Sequence, residues 1–335
     1  MALPQPSLFD NHGRPVNYLR LAVTDRCNLR CFYCMPEEGI QYLPKKALLT
    51  YEEMERTVRV LAGLGVNKVR ITGGEPFVRN GLLGFLRRLG EIPGVEALHL
   101  TTNGVLTAPH VAELKALGVR SVNLSLDTLD RDRFRHITRR DELPRVLDTL
   151  YALLDVGIEV KINMVVMEGK NTQDILPMAE LTRQHPVAVR FIEEMPFNGE
   201  GARLEGFAWN YRRILDELKS HYPGLHKLAD EPNATAYGYG VPGHAGTFGV
   251  IAAFSRSFCG TCNRIRLTAQ GVLKTCLYDE GVLDLRQLLR GGATDEALAD
   301  AFRHAFRHRA KDGFEAESRR NAHHPASESM STIGG

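Results

Sequence analysis

From about residue 17 to residue 193 the chain alternates between short β-prone runs and segments with helical spacing. The β-prone runs are YLRLAV from Tyr18, KVRIT from Lys68, ALHLT from Ala97, SVNLSL from Ser121, EVKINMVV from Glu159 and AVRFIE from Ala188. Between them, Met54, Val58 and Leu61 form one apolar stripe, Leu82, Phe85, Leu86 and Leu89 a second, and Leu143, Val146, Leu147 and Leu150 a third. Stripes at this spacing are core faces of amphipathic helices and carry no chemistry. Strand and helix in alternation imply right-handed crossovers and a parallel sheet. Six such strands fit either an incomplete (β/α) barrel or an open doubly wound sheet.

In both architectures function gathers at the carboxyl ends of the strands. KVRIT runs into GGEP, ALHLT into TNG, SVNLSL into DTLD, and the first strand into TDRCNLRCFYC. Beyond about residue 206 the pattern changes. A helix is expected over WNYRRILDELKSHY, then a Gly-, Tyr- and Pro-rich stretch, AYGYGVPGHAGTFGV, then a hairpin over NRIRLTAQGVLKTC with AQG as its turn. Two more helical segments precede HHPASESMSTIGG, a tail that composition alone reads as disordered. The expected division is a first domain over 14–205, a second over 206–325 and a tail over 326–335.

Hydrophobic residues make up 43% of the 335 and charged residues 24%, a globular balance rather than a disordered one. Lys plus Arg (42) nearly matches Asp plus Glu (40), so no general basic field draws the chain to nucleic acid or a membrane surface. The opening has no secretory pattern and no apolar run reaches membrane-spanning length, so a cytoplasmic protein is expected.

Candidate chemistry enters with the cysteines. All six fall into two trios, Cys27, Cys31 and Cys34, then Cys259, Cys262 and Cys276. Thiolates select zinc, copper(I) or iron–sulfur clusters. Structural zinc takes four protein ligands, whereas three thiolates crowded on one loop suit a four-iron cluster with one iron left open. For the second trio a zinc site completed by His244 is the weaker alternative. On NRIRLT, strand alternation puts Arg264, Arg266 and Thr268 on one face and Ile265 and Leu267 on the other, which suggests an anion beside a metal site.

The C-x-x-x-C-x-x-C loop with Tyr33 before its last cysteine, followed by Thr72-Gly73-Gly74-Glu75-Pro76, resembles the radical S-adenosylmethionine superfamily. FCGTCNRIRLTAQGVLKTCLYDE, YLRLAVTDRCNLRCFYCMP and the final Gly334-Gly335 narrow the resemblance to the GTP 3',8-cyclase family of molybdenum cofactor biosynthesis, from about residue 14 onward. That resemblance implies an α/β fold, an incomplete (β/α)6 TIM-type barrel with a C-terminal α+β extension covering its open side. It implies two [4Fe-4S] clusters, one on Cys27, Cys31 and Cys34 and one on Cys259, Cys262 and Cys276. A 5'-deoxyadenosyl radical from S-adenosylmethionine would remove the ribose 3' hydrogen of GTP, and the ribose carbon would then attack C8 of the base, a lyase reaction.

Carried over by motif, Tyr33, Gly74, Glu75, Ser125 and Met195 are expected at the S-adenosylmethionine site. Arg20, Arg70, Thr101, Lys161, Arg264, Ile265 and Arg266 are expected on GTP, with Arg264, Arg266, Gly334 and Gly335 closest to catalysis. Implied partners are a downstream cyclic pyranopterin monophosphate synthase and an electron donor such as flavodoxin or ferredoxin, with the chain a monomer or homodimer. Gln270, Glu194 and Thr332 depart from the family's usual pattern in the hairpin turn, in FIEEMP and in the tail. His136 and the basic helix FRHAFRHRAK read as solvated surface. The alternatives are a peptide-modifying radical enzyme with an extra cluster and a non-catalytic zinc nucleotide-binding module.

Overall fold

The structure is a computed structural model that describes residues 8–195, 197, 209–320 and 329–334. Its strands are β1 (Tyr18–Ala22), β2 (Lys68–Thr72), β3 (Ala97–Thr102), β4 (Val119–Ser125), β5 (Glu159–Val166), β6 (Val187–Glu193), β7 (His226–Lys227), β8 (Tyr237–Gly240), β9 (Thr247–Ile251), β10 (Arg264–Leu267), β11 (Val272–Lys274) and β12 (Leu283–Asp284). Its helices are α1 (Tyr51–Gly63), α2 (Leu82–Gly90), α3 (Val111–Ala116), α4 (Arg131–Thr138), α5 (Leu143–Asp155), α6 (Ile175–Gln184), α7 (Tyr211–His221), α8 (Leu285–Arg290), α9 (Asp295–Arg307), α10 (Gly313–Ser318) and α11 (Met330–Ile333). Local chemistry sets several of these boundaries. Thr50 and Glu53 form a reciprocal capping box at the start of α1, and Asp130 and Asn210 cap α4 and α7.

All strands join one sheet in the order β12-β11-β10-β1-β2-β3-β4-β5-β6-β9-β8-β7, and its two ends do not meet. The six strands expected from the alternation are adjacent and parallel in chain order. The later part of the chain does not form a separate sheet. β10 pairs in parallel with β1 and β9 in parallel with β6, so each edge gains one further parallel strand. Antiparallel partners then finish both edges. An edge strand presents unpaired backbone groups, and pairing them with the later segment satisfies those groups. The expected boundary near residue 205 lies outside the described residues.

The period of two along each strand separates core from site. Leu19 and Leu21 of β1, Val69 and Ile71 of β2 and Ile265 and Leu267 of β10 are fully buried in the same apolar cluster as Met54, Val58 and Leu61 of α1 and Phe85 and Leu89 of α2. Each such side chain contributes roughly 1.5–3 kcal/mol relative to exposure. The alternate positions, among them Arg20, Arg70, Arg190, Arg264 and Arg266, fall on the opposite face.

One surface expectation is corrected. Phe302 and Phe306 on the expected basic helix are fully buried in the main core and Arg309 in the same segment is 2% exposed, because the basic residues interleaved with them obscure an i, i+4 apolar pair. In the tail, Ile333 packs with Phe197, Tyr278, Ala310 and Ala316, so residues 329–334 are docked. A tail rich in Ser and Gly hides its few apolar anchors, Ile333 and Met330, from a compositional reading.

Candidate active site

The first cysteine loop follows β1 and is clamped from behind by the end of α4. The amides of Arg30 and Phe32 donate to the carbonyls of Thr138 and Ile137 at 2.9 and 3.1 Å, and Arg139 donates to the carbonyls of Arg30 and Met35 at 3.1 Å each. Its other neighbour is the loop after β2. There the amides of Gly74 and Glu75 donate to the carbonyls of Thr24 and Arg26 at 2.9 and 2.8 Å. A Cβ on Gly74 would lie 2.2 Å from the Arg26 carbonyl oxygen, so only glycine permits this approach.

The second trio sits one strand away from β1, at the amino end of β10 and the close of the antiparallel β11. The Asp279 carboxylate accepts from the amides of Thr275 and Cys276 at 2.8 Å each and fixes the turn that carries Cys276. Arg264 Nε and Nη2 donate to the Cys262 sulfur at 3.4 and 3.3 Å, and Arg309 Nη2 donates to the same sulfur at 3.3 Å.

All six cysteines are free and line one cavity of about 300 Å³. Burial pushes the Cys27 thiol up to about 11, with Glu75 adding to it, and raises Cys31 and Cys34 further. Burial also raises Cys259, and lifts Cys276 to about 11. Cys262 goes the other way, down to about 6, because Arg264 and Arg309 outweigh its burial. Three buried thiols facing one space need a cationic partner to ionise, which is the donor chemistry of an iron–sulfur cluster. Among the described residues no three His, Cys, Asp or Glu side chains converge on a single metal ion. The zinc alternative also lacks its fourth ligand, since His244 pairs with Thr182 at 2.8 Å and packs on Tyr222 and Phe248.

The cavity wall carries Arg20, Thr101, Ser125, Arg190, Arg264 and Arg266, with Tyr33 and Gly74 on the loops of the first trio and Met195 in the apolar cluster that also holds Cys276. Register explains the clustering, since Arg20 lies opposite Arg266 on one side and Arg70 on the other. Burial first and neighbouring arginines next pull Arg266 down to about 10 and Arg20 well below its ordinary value. Arg266 also donates to the Gly334 carbonyl at 2.6 Å, which brings the tail into the site. Gly334 has φ +77, and a Cβ there would lie 2.6 Å from Thr72 Oγ1. Gly335 lies outside the described residues.

Among the described residues five expected ones are not in the cavity wall, Gly334 being one of them despite its bond to Arg266. Ile265 belongs to the core-facing set of β10, so its side chain points away from the site. Arg70 is buried and spends its donors on Tyr18, Leu100 and Ser121 at 2.6, 2.8 and 3.4 Å. Lys161 pairs with Glu159 at 2.8 Å. The Glu75 carboxylate, fully buried, accepts from Thr102, Asn103 and Phe77, and burial lifts it to about 7. Tyr33 donates its hydroxyl to Asp127 at 2.8 Å.

The structure adds residues that sequence reasoning missed. Arg190 of β6, Asn123 of β4 and Asn163 of β5 line the cavity, and Arg190 Nε and Nη2, Asn123 Oδ1, Asn163 Oδ1 and Thr101 Oγ1 are buried with no hydrogen-bond partner. Their signal was a polar residue at the inward position of an apolar strand.

Residues 21–182 match the model described as the radical SAM superfamily, and residues 187–314 match Molybdenum Cofactor Synthesis C. A GTP 3',8-cyclase of Syntrophomonas wolfei is 39% identical over 325 residues, spanning 93% of this chain and 98% of its own length. The chain belongs to the GTP 3',8-cyclase family. A second member, from Geobacter sulfurreducens, is 45% identical across 84% of this chain and 86% of its own. Molybdenum cofactor biosynthesis protein 1 of mouse is 42% identical across 87% of this chain, which spans 46% of that longer protein. Among solved structures, Streptococcus suis SuiB has the same fold, with a TM-score of 0.59, 14% identity and coverage of 88% of this chain and 69% of its own. Membership in the radical SAM superfamily implies S-adenosylmethionine and a [4Fe-4S] cluster. Among the described residues no helix is long and apolar enough to cross a membrane.

Proposed function

We propose that this chain converts GTP to (8S)-3',8-cyclo-7,8-dihydroguanosine 5'-triphosphate, the first step of molybdenum cofactor biosynthesis. The observation that carries this reading is the single cavity into which both cysteine trios open, with the guanidinium-bearing Arg20, Arg190, Arg264 and Arg266 in its wall. Cys27, Cys31 and Cys34 would hold one [4Fe-4S] cluster, and Cys259, Cys262 and Cys276 a second. When bound, the first cluster and S-adenosylmethionine supply the hydrogen-abstracting chemistry that removes the ribose 3' hydrogen. β1–β6 serve as an incomplete (β/α)6 barrel around this space.

The chain's own residues bind and orient the nucleotide. GTP brings several negative charges, and each charge-assisted bond to a guanidinium contributes about 1.5–3 kcal/mol. Arg190 and Arg266 are held below their ordinary basicity by burial first and by neighbouring cations second. A polyanion relieves that repulsion. Thr101, Asn123 and Asn163 offer unpaired oxygens for ribose and base, while Ile192, Ile251 and Met195 in the same wall exclude water. The tail, held by Arg266 at Gly334, covers the cavity near the ribose-reacting centre. An acidic one-electron carrier upstream and a pterin-forming synthase downstream complete the partners.

The test is anaerobic incubation of the full chain with GTP deuterated at C3', S-adenosylmethionine and dithionite. Deuterium is expected in 5'-deoxyadenosine together with loss of GTP. Formation of 5'-deoxyadenosine without deuterium would refute abstraction at the 3' position.

A further inference from the structure

Two buried arginines reach the second cysteine trio from opposite ends of the chain. Arg309 spends all its donors there. Nε donates to the Thr275 carbonyl at 3.0 Å, Nη1 to the Cys262 carbonyl at 2.9 Å and to Asp10 Oδ2 at 3.2 Å, and Nη2 to the Arg264 carbonyl at 2.8 Å and the Cys262 sulfur at 3.3 Å. Arg14 donates to the Cys259 carbonyl at 3.1 Å, to the carbonyls of Lys311 and Ala310 at 2.6 and 2.8 Å, and to Asp10 Oδ2 at 2.7 Å. Both guanidiniums thus share one carboxylate, whose other oxygen accepts from the amides of His12 and Arg14 at 2.9 and 3.0 Å. The buried carboxylates there, Asp10 and, on the Cys276 amide, Asp279, stand against the buried guanidiniums of Arg14 and Arg309 and the buried ammonium of Lys274, which leaves a surplus of positive charge. Arg264, on the same sulfur, adds to it.

The first trio has the opposite surroundings. Its sulfurs meet weaker, neutral groups: Asn103 Nδ2 lies 3.7 Å from Cys27, and the Tyr33 hydroxyl faces Cys31. Arg30 Nη1 spends itself on the carbonyls of Cys27 and Leu29 at 2.8 and 2.9 Å. The buried carboxyl groups nearby are Glu75 and, through Tyr33, Asp127.

Cluster potentials respond to local charge and to hydrogen bonds on the sulfurs, and groups behind the ligands orient them. A donor or cation beside a sulfur favours the reduced, more negative state. We propose that Arg309, held in place by Asp10 and Arg14, is a positioning residue that fixes the second trio and sets its cluster at a less negative potential than the first. This inference rests on the two-cluster reading above. It assigns a role to a segment, Asp10–Arg14, whose Arg14 lies 245 residues before the Cys259 carbonyl it holds.

The experiment is an EPR-monitored redox titration of the anaerobically reconstituted full chain, with iron counted beforehand. In the unaltered chain the cluster lost on replacing Cys262 is expected at the higher potential. Arg309→Met is expected to shift that cluster at least tenfold toward the oxidised form, 59 mV for a one-electron couple, with the first cluster unmoved. Selective loss of about half the iron in Arg309→Met, restored in Arg309→Lys, equally supports the positioning role. An unshifted second cluster in Arg309→Met, equal shifts in both clusters, or a lower potential for the second cluster in the unaltered chain would overturn it. An unaltered chain with only about four irons would instead remove the two-cluster reading itself, and the inference with it.

Discussion

Arg190→Met should change stability and affinity in opposite directions. Arg190 is partly buried in the cavity wall, two of its nitrogens are buried with no partner, and burial holds it down to about 9. At about 1.4 kcal/mol per pKa unit, that displacement from an ordinary arginine amounts to roughly 4–5 kcal/mol of unfavourable environment, an upper bound because local relaxation reduces it. Methionine keeps most of the side-chain volume and removes the unpaired charge, so the apoprotein should gain roughly 1–3 kcal/mol. GTP, in contrast, loses a charge-assisted contact worth about 1.5–3 kcal/mol, or roughly a ten- to hundredfold weaker Kd. The assays are urea denaturation of the reduced apoprotein and calorimetric titration of the reconstituted chain with GTP and with S-adenosylmethionine. An apoprotein destabilised by the change, or a Kd for GTP that stays put, would refute the claim that this cation waits for an anionic ligand.

Gly334→Ala should undock the tail, because φ +77 and a Cβ 2.6 Å from Thr72 Oγ1 together cost about 2–5 kcal/mol. Hydrogen exchange at 329–334 should rise, and Thr72→Ala should rescue part of it, since Thr72 Oγ1 has no partner to lose. Gly74→Ala should separate the two loops beside the first trio and abolish S-adenosylmethionine cleavage at unchanged iron content, as read by 5'-deoxyadenosine formation. His99 is held down to about 2 by burial first and by Arg70 and Lys68 next. Its contribution is therefore present above the ordinary histidine pKa and is lost as pH falls, so stability should drop by about 2 kcal/mol from pH 6.5 to pH 5. His99→Asn should flatten that slope in denaturation curves. Cys27→Ala should abolish 5'-deoxyadenosine formation, whereas Cys262→Ala should leave it detectable and stop consumption of GTP.

Much of the site was legible because its signals are local. A cysteine loop after a strand, a glycine pair before Glu75 and an alternating Arg264-Ile265-Arg266 need only neighbouring residues to be read. Ile265 shows the limit of motif transfer. The alternation already put it opposite the arginines, and the structure sides with the alternation. Arg70 and Lys161 show another limit, since a cation on an inward strand face can be satisfied within the protein, and only the neighbouring strands reveal whether it is. Arg190 was overlooked for the converse reason. It stands amid apolar residues with nothing in the local sequence to say that it lacks a partner.

The amino-acid order alone determined the helix and strand periods, the six parallel strands and the two thiol trios, because these depend on residues a few positions apart. Tertiary structure alone decided that β9 and β10 extend the two edges of one sheet, that both trios face a common cavity, and that Asp10, Arg14 and Arg309 meet behind Cys262. Those outcomes depend on the register between strands and on contacts across nearly 300 residues. A one-residue slip there would exchange every inward side chain for an outward one.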